Sequence, residues 1–287
     1  MMRMQTGVLA DGRLHLNDGP IDLVISADGK ASEVARAMAA ARSIFAGILD
    51  GLCRELPLLR RAAGKQPSGA VARRMWSATR DHSAQGFITP MAAVAGAVAD
   101  EVLAAMTAAA RLERASVNNG GDIAIYLAPG ASYRIGLIDR PDRPSLFGQS
   151  AVSASDGIGG IATSGWRGRS FSLGVADAVT VLAATASGAD AAATVIANAV
   201  DLPGHPAITR VPAQDIQPDS DLGPRLVTRG VGCLTPGEID AALERGKSCA
   251  DQLLRRGIIA GCALHLCGQT RVVSRALTPQ LQTMVPA

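Results

Sequence analysis

Apolar side chains recur at helical spacing in some segments of the chain and alternate with polar side chains in others. Between Ser32 and Leu49 they return every three or four residues, which predicts an amphipathic helix. Further helices are predicted over Asp50–Leu59, Met91–Arg111 and Pro236–Arg256. Extended or alternating runs predict strands over Arg13–Asp18, Ile21–Ser26, Ala115–Val117, Asp122–Ala128, Ser132–Asp139, Ser170–Leu182, Arg225–Gly230, Ile258–Leu266 and Thr270–Ser274.

The order of these elements is mixed, because strand pairs and helices do not follow one another as regular strand–helix–strand units. This order predicts an α+β fold with antiparallel sheets. Residues 1–275 are expected to form a single domain, with a subdivision into two similar halves near residues 115–120 left open. Residues 276–287 are expected to be a frayed tail. Thr235 and Glu238 have the spacing of a capping box, which predicts where the last helix begins.

A polar stripe runs along one otherwise apolar helix. The chain from Ser187 to Asn198 is mainly Ala, Val and Ile, and Asp190, Thr194 and Asn198 fall at positions i, i+4 and i+8 on one face. Burying such groups unpaired costs roughly 2–7 kcal/mol each, so the stripe predicts hydrogen-bond partners, a metal or a ligand. An oxygen-only site of Asp190 and Thr194 would suit Mg²⁺. Alternatively, Ser187 is the N-cap and Asp190 a first-turn carboxylate, which leaves Thr194 and Asn198 unexplained.

Composition narrows the classes of function. The 287 residues are 48% hydrophobic and 18% charged, which indicates a globular protein. A net charge of +3 and an aromatic content of 3% argue against a nucleic-acid partner. The five cysteines form no CxxC pair and no signal peptide is evident, which favours a cytoplasmic setting. The longest apolar run, Phe87–Ala99, is interrupted by Pro90 and Gly96, so no membrane partner is expected. A homo-oligomer stays open.

Three further segments could carry chemistry, and each also has a plain structural interpretation. Asn118–Asp122 places two glycines between strands, where the backbone either approaches a ligand or forms a tight turn. Gly160–Ser170 combines hydroxyls and glycines with Arg167 and Arg169, a set that can cradle phosphate or form a surface loop. Asp177 is a lone carboxylate in an apolar run, either in a site or bound to backbone N–H groups.

Together these segments resemble the ApbE-like superfamily, whose best-known members are FAD:protein FMN transferases. The matching pieces are Asn119-Gly120-Gly121-Asp122-Ile123, Thr163-Ser164-Gly165, Val179-Thr180-Val181 and Ala189-Asp190-Ala191-Ala192-Ala193-Thr194. The N-terminal Leu14-His15-Leu16 and the segment Gly86-Phe87-Ile88-Thr89-Pro90-Met91 resemble a shorter branch of that superfamily. The resemblance to the branch runs from about Arg13 to Val273, and the resemblance to the transferases is confined to the middle of the chain.

The resemblance implies a two-layer, T-fold-like α+β arrangement of antiparallel sheets with packed helices. It also implies that Asp190 and Thr194 ligate Mg²⁺, and that FAD or a related small-molecule nucleotide lies at the glycine segment. The residues expected to bind this nucleotide are Asn119, Gly120, Gly121, Asp122, Thr163, Ser164, Gly165, Arg167 and Arg169.

One feature of the transferases is missing from this chain. They place a His-Ile-Ile-Asp-Pro type segment between Thr-Ser-Gly and the Val-Thr-Val strand, whereas here Arg169–Gly174 leads directly into Val175-Ala176-Asp177. Asp177 becomes the candidate catalytic base, accepting a proton from an acceptor hydroxyl. Two functions stay open. One is a divergent Mg²⁺-dependent FMN transferase, and the other is a non-catalytic ligand-binding or assembly protein that uses the same pocket. The retained Asp122, Asp177, Asp190 and Thr194 favour a working pocket, and the missing His-containing loop and the scarce aromatic residues favour something other than ordinary FMN transfer.

Overall fold

The computed structural model describes residues 4–82, 86–138 and 146–274, and it contains helices and antiparallel strands in mixed order. The helices are α1 Ala31–Phe45, α2 Ile48–Leu59, α3 Ala70–Arg80, α4 Val94–Ala109, α5 Ala186–Ala199, α6 Ala213–Ile216 and α7 Pro236–Arg255. The strands are β1 Gln5–Val8, β2 Leu14–Asp18, β3 Ile21–Asp28, β4 Arg114–Asn119, β5 Asp122–Leu127, β6 Ser132–Ile138, β7 Leu146–Ser153, β8 Gly160–Ser164, β9 Ala178–Ala183, β10 Ile208–Pro212, β11 Leu226–Val231, β12 Gly261–Leu266 and β13 Gln269–Ser274. The predicted α+β class with antiparallel sheets is confirmed.

The described residues form two compact units, each assembled from separate stretches of chain. The first contains the residues up to Ser132 together with Ser153–Ala162 and Ala183–Ala191. The second contains Tyr133–Val152, Thr163–Leu182 and the residues from Ala192 onward. A single domain with halves that meet near residues 115–120 stays a prediction. The expected tail at 276–287 lies outside the described residues.

In the first unit the strands follow the order β1-β2-β3-β4-β5-β8, and α1 and α4 pack on one face of the sheet. Burial alternates along β2 and β3, which is the pattern of a strand with one face toward a core. The buried face carries Leu14, Leu16, Leu23, Ile25 and Val117. These side chains belong to the same hydrophobic core as residues of α1 and α4, so the first unit consists of a sheet layer and a helix layer.

In the second unit β12 pairs antiparallel with both β9 and β13. All residues of β9 and β12 are buried, so burial is continuous along these strands and does not alternate. Helix α7 packs on β12 and β13. Gly246 permits this close packing, because an added Cβ would lie 2.8 Å from Leu264 Cδ2 of β12. Strands β10 and β11 form a separate antiparallel pair, and β6 and β7 form another two-stranded sheet.

The structure differs from the predicted helices in two places. The helix predicted over Ser32–Leu49 is two helices, because α1 ends at Phe45 and α2 begins at Ile48 after Gly47. Helix α3 was not predicted, since its sequence has five polar or charged residues in eleven and no N-cap side chain. The signal that could have revealed it is the recurrence of its buried residues, which are Val71, Ala72, Met75 and Thr79.

The strand predicted over Ser170–Leu182 was too long. The chain is irregular up to Asp177, and β9 begins only at Ala178. Gly174 accounts for part of this irregular path, because an added Cβ there would lie 2.1 Å from Ala197 O. The backbone of this segment therefore lies directly against the end of α5, where no side chain fits.

One helical stretch, Pro90–Ala109, is long and apolar enough to cross a membrane by length and composition alone. It consists of a 3₁₀ turn followed by α4, and Thr89 caps it by accepting a hydrogen bond from Met91 N at 3.2 Å. Helix α4 packs against α1, β4 and β5, and Val98, Val102 and Met106 are fully buried. Core packing in the first unit therefore accounts for its apolar composition.

Candidate functional site

The first group of expected site residues lies on the hairpin between β4 and β5. Asn119 pairs with Asp122 across a two-residue turn, in which Gly120 and Gly121 have φ angles of +65° and +113°. Both values lie in the region that glycine adopts without steric cost, which explains the pair of glycines. The amide of Gly121 donates to Asn118 Oδ1 at 2.9 Å and fixes the turn. The hairpin thereby places Asp122 at the first position of β5.

Asn119 attaches this hairpin to the start of α4. Its side chain is 8% exposed, and Nδ2 donates to Ala95 O at 3.1 Å. A buried amide keeps such a bond because losing it leaves an unsatisfied polar group. Asn119 therefore has a clear structural contact, and its expected role toward a nucleotide stays a prediction.

Asp190 is buried in the same unit, on the first turns of α5. It is 9% exposed, and its Oδ2 accepts a hydrogen bond from Gly96 N at 3.0 Å. Burial and the nearby negative charge of Asp122 raise the pKa of Asp190 well above its ordinary value, and Asp100 adds to the rise. Hydrogen bonds from the amides of Gly96 and Ala95 oppose the shift without cancelling it. An acidic side chain in this setting either keeps its proton or needs a cation.

Asp100 of α4 holds the first turn of α5 and was not predicted as a site residue. It is 9% exposed; its Oδ1 accepts from Ala186 N at 2.9 Å, and its Oδ2 accepts from Ser187 N at 2.9 Å and from Ser187 Oγ at 2.7 Å. The expected cap was wrong, since α5 already begins at Ala186 and Thr185 Oγ1 accepts from Gly188 N at 3.1 Å. The only sequence signal for Asp100 was its place as a charge after a long apolar run.

The carboxylate oxygens in this cluster are ligands of the kind that a small, hard cation prefers. Among the described residues no group of three or more His, Cys, Asp or Glu side chains is arranged to hold a metal ion. Mg²⁺, however, needs only one or two carboxylates and takes its other ligands from water and phosphate. The pair Asp122 and Asp190 supplies two carboxylates whose mutual repulsion a divalent cation would relieve.

The other two members of the polar stripe lie further along α5, in the second unit. Thr194 is half-buried, one turn beyond Asp190. Asn198 is half-buried and its Oδ1 accepts from Leu173 N at 2.9 Å and from Ser172 Oγ at 3.3 Å. Asn198 thus satisfies the irregular segment before β9, which explains its place in the stripe without a ligand.

Asp177, the expected base, is 3% exposed in the second unit and is engaged by three donors. Its Oδ1 accepts from Arg167 Nε at 2.6 Å and from Trp166 Nε1 at 3.1 Å, and its Oδ2 accepts from Cys267 N at 2.7 Å. The Arg167 guanidinium also stacks on the Trp166 ring, 4.3 Å from its centroid. Asp177 therefore joins the loop after β8 to the turn between β12 and β13.

The remaining expected residues follow one another along the end of β8 and the next loop. Thr163 exchanges a hydrogen bond with Thr180 of β9, with 2.9 Å between the hydroxyl oxygens. Gly165 is buried, and an added Cβ would lie 2.5 Å from Asp177 O, so glycine is needed there for close packing. Ser164 is half-buried and Arg169 is exposed. Arg167 is the one charged side chain of this group whose position is fixed by an ion pair in the described residues.

Comparison with known proteins gives matches along most of the chain. A family model described as AbpE bacteria matches residues 6–272. A UPF0280 protein from Methanopyrus kandleri is 42% identical over 111 residues, which is 39% of this chain and 43% of that protein. A UPF0280 protein from Methanothrix thermoacetophila is 38% identical over 125 residues, with 39% and 46% covered. The match spans less than half the length of each of these two relatives.

Two solved structures of flavin transferases match this chain over nearly its whole length. The flavinyl transferase ApbE from Pseudomonas stutzeri, in its apo form, is 15% identical with a TM-score of 0.48, and the match covers 96% of this chain and 94% of that one. The flavin transferase ApbE from Vibrio cholerae is 11% identical with a TM-score of 0.46, covering 95% and 96%.

Proposed function

The chain belongs to the AbpE bacteria family, and we propose that it binds Mg²⁺ together with FAD or another pyrophosphate-containing nucleotide, as a divergent relative of the FMN transferases. Asp190 and Asp122 would hold the cation, with Thr194 as a further oxygen ligand implied by the family motif. The Asn119–Asp122 hairpin would lie along the nucleotide. When bound, the cation would neutralise phosphate charge, which is the chemistry that Mg²⁺ supplies to phosphate-containing ligands.

The observation that carries the proposal is the buried Asp190 beside a second carboxylate. A fold that needed Asp190 only as a hydrogen-bond acceptor for Gly96 could use a neutral amide at lower cost, because an unpaired buried charge is strongly unfavourable. Asp122 adds negative charge to the same place. A buried carboxylate beside a half-buried one is instead suited to binding a divalent cation, which compensates both charges.

Calorimetric titration with MgCl₂ tests the cation site. The wild-type protein should bind Mg²⁺, and Asp190→Asn should lose binding because Asn keeps the shape and one acceptor but not the charge. Asp215→Asn is the matched control, since Asp215 lies exposed on α6 in the other unit. Equal Mg²⁺ binding by the wild type and Asp190→Asn would refute the assignment.

A thermal-shift series tests the nucleotide. FAD, FMN, ADP and thiamine phosphates are each added with and without Mg²⁺, because a ligand that binds only the folded state raises the melting temperature. We expect FAD or ADP to stabilise the protein in the presence of Mg²⁺ and less in its absence. If no pyrophosphate-containing compound stabilises the protein beyond Mg²⁺ alone, the nucleotide part of the proposal fails.

A second candidate function is binding without transfer. The observation that favours it is the state of Asp177, whose oxygens already accept from Arg167, Trp166 and the amide of Cys267. To take a proton from a substrate hydroxyl, this carboxylate would first have to give up one of these three contacts. The missing His-containing segment points in the same direction. Incubation with FAD, Mg²⁺ and an acceptor peptide separates the two functions by the presence or absence of covalent flavin.

A further inference from the structure

Helices α4 and α5 cap each other in the first unit. Asp190 of α5 accepts from the amide of Gly96, the third residue of α4, at 3.0 Å. Asp100 of α4 accepts from the amides of Ala186 and Ser187, the first two residues of α5, at 2.9 Å each. The first amides of a helix have no partner within the helix, so each carboxylate satisfies donors that the other helix leaves open.

Close backbone packing accompanies these hydrogen bonds. An added Cβ on Gly96 would lie 2.3 Å from Ala186 O and 2.7 Å from Ser187 N. Asn119 also donates to the carbonyl of Ala95, the neighbouring residue of α4. One turn of α4 thus contacts both the start of α5, which carries Asp190, and the hairpin that carries Asp122.

We propose that Asp100 is a positioning residue that sets the geometry of the cation site by fixing the first turn of α5. This inference rests on the proposed function. Asp100 does not need to touch the cation, because its three hydrogen bonds determine where α5 begins and therefore where Asp190 lies relative to Asp122. Residues that orient metal ligands from outside the coordination sphere typically change metal affinity by about 10–100-fold when they are removed.

A carboxylate that only caps a helix should leave metal affinity unchanged when it is neutralised. Glu55 provides the comparison within this chain. Glu55 accepts from Ser68 N at 2.8 Å, from Ser68 Oγ at 2.6 Å and from Gly69 N at 3.1 Å, just before α3 in the same unit. Like Asp100, Glu55 accepts hydrogen bonds from two backbone amides and one serine hydroxyl. Glu55, however, makes none of its described contacts with Asp122, Asp190 or α5. Comparing Asp100→Asn with Glu55→Gln therefore separates loss of a cap from loss of ligand positioning.

The experiment titrates Mn²⁺ into the wild type, Asp100→Asn, Glu55→Gln and Ser187→Ala, all fully folded at the working temperature. Affinity is read from the electron paramagnetic resonance of free Mn²⁺. Water-proton relaxation reports the water bound to the protein-held ion. Asp100→Asn should bind about tenfold more weakly, with altered relaxation of bound Mn²⁺, and Glu55→Gln should match the wild type. Ser187→Ala removes one of the three bonds to Asp100 and should weaken binding less.

The outcomes separate this inference from the proposed function. Failure of the wild type to bind Mn²⁺ would overturn the proposed cation site and this inference with it. Unchanged affinity and relaxation in Asp100→Asn, with the wild type binding, would overturn the positioning role alone. Equal losses in Asp100→Asn and Glu55→Gln would also overturn it, because general destabilisation would then explain both. If Asp100→Asn does not fold, the Mn²⁺ affinity of Ser187→Ala tests the inference instead. Wild-type affinity in Ser187→Ala would then refute the positioning role of Asp100.

Discussion

The surroundings of Asp190 act in opposite directions on the ionisation of its side chain. Its carboxylate accepts hydrogen bonds from the start of α4, which favour the ionised form. Its burial and the charge of Asp122 favour the protonated form more strongly, so the pKa of Asp190 is raised. Without a cation, the protein therefore keeps a proton on Asp190 at a pH where an unfolded chain has released it.

This raised pKa predicts how stability depends on pH. In the unfolded chain Asp190 titrates near 3.8, whereas in the folded protein it titrates well above that value. The contribution of its proton to stability is therefore complete below the unfolded pKa and is lost as the pH rises through the folded pKa. Asp190→Asn cannot lose a proton. In EDTA, the melting temperature of the wild type should fall relative to that of the variant as the pH rises from about 4 to about 8.

The control for this prediction is Asp215→Asn, which replaces an exposed carboxylate on α6. Its melting temperature should follow the wild type across the same pH range. Added Mg²⁺ should reduce the loss in the wild type at high pH, because the cation takes the place of the proton. Parallel pH profiles for the wild type and Asp190→Asn in EDTA would contradict the prediction.

The contacts of Asp177 predict a loss of stability when its charge is removed. Asp177→Asn removes the charge that pairs with Arg167, which is only 24% exposed, and turns one acceptor into a donor. The free energy of unfolding should fall by about 1–3 kcal/mol, the cost of leaving buried partners unsatisfied. Asp240→Asn is the control, since Asp240 pairs with Arg271 in an exposed position of the same unit and should change stability little. Chemical denaturation measures both, and a neutral effect at Asp177 would contradict the contacts described.

At the scale of whole elements, α7 shows how local signals define a helix. Its start was predicted from Thr235 and Glu238, and the structure confirms the capping box: Thr235 N donates to Glu238 Oε2 at 2.7 Å, and Glu238 N donates to Thr235 Oγ1 at 3.4 Å. The amide of Thr235, followed by contacts with His205 and the Thr235 hydroxyl, lowers the pKa of Glu238 to about 2. All but the His205 contact come from residues within three positions along the chain.

The lowered pKa of Glu238 predicts acid sensitivity of this helix start. Glu238 contributes stability above its unfolded pKa of 4.5, and the contribution is lost as the pH falls toward about 2. Glu238→Gln should therefore be less stable than the wild type at neutral pH, and the difference should shrink in acid. Glu244→Gln, exposed on the same helix, is the control and should not change the acid dependence. Thermal unfolding followed by circular dichroism across this pH range provides the measurement, and a constant difference would count against the cap.

The distance along the chain over which each interaction acts explains what the sequence could not predict. Capping and periodicity act within a few residues, so α7, the β4–β5 hairpin and the closing β12–β13 hairpin were all recognisable. The partners of Asp190 and Asp177 lie far along the chain: Gly96 is 94 positions from Asp190, and Cys267 is 90 from Asp177. No local pattern encodes such contacts. The helix face of Asp190 was therefore predictable, and the hydrogen bonds of Asp100 were not.

At the scale of the whole molecule, the two units contain different candidate chemistry. The first holds carboxylates and helix starts, a composition that suits a cation. The second holds the Arg167–Asp177 ion pair with its stacked Trp166, in which the carboxylate is already engaged by the guanidinium. Ligand binding in the first unit therefore does not by itself provide a base for group transfer.

The contacts of Asp177 bear on whether the protein transfers FMN. Transfer of FMN from FAD to a hydroxyl requires a group that removes the acceptor proton. Asp177 is engaged by three donors, and the His-containing segment of the transferases is absent. We therefore expect that the protein, incubated with FAD, Mg²⁺ and a threonine-containing acceptor peptide, produces little or no covalent flavin by mass spectrometry, although FAD with Mg²⁺ raises its melting temperature.

The matched control uses the same peptide with alanine in place of the acceptor threonine, which sets the background of non-specific labelling. A second arm repeats the incubation with Asp177→Asn at a temperature where this variant is folded. Strong labelling of the threonine peptide that disappears in Asp177→Asn would show that the Arg167 pair opens during the reaction and that Asp177 serves as the base. Labelling at background in both proteins, with FAD still bound, is the result expected of a family member that keeps the binding site without the transfer step.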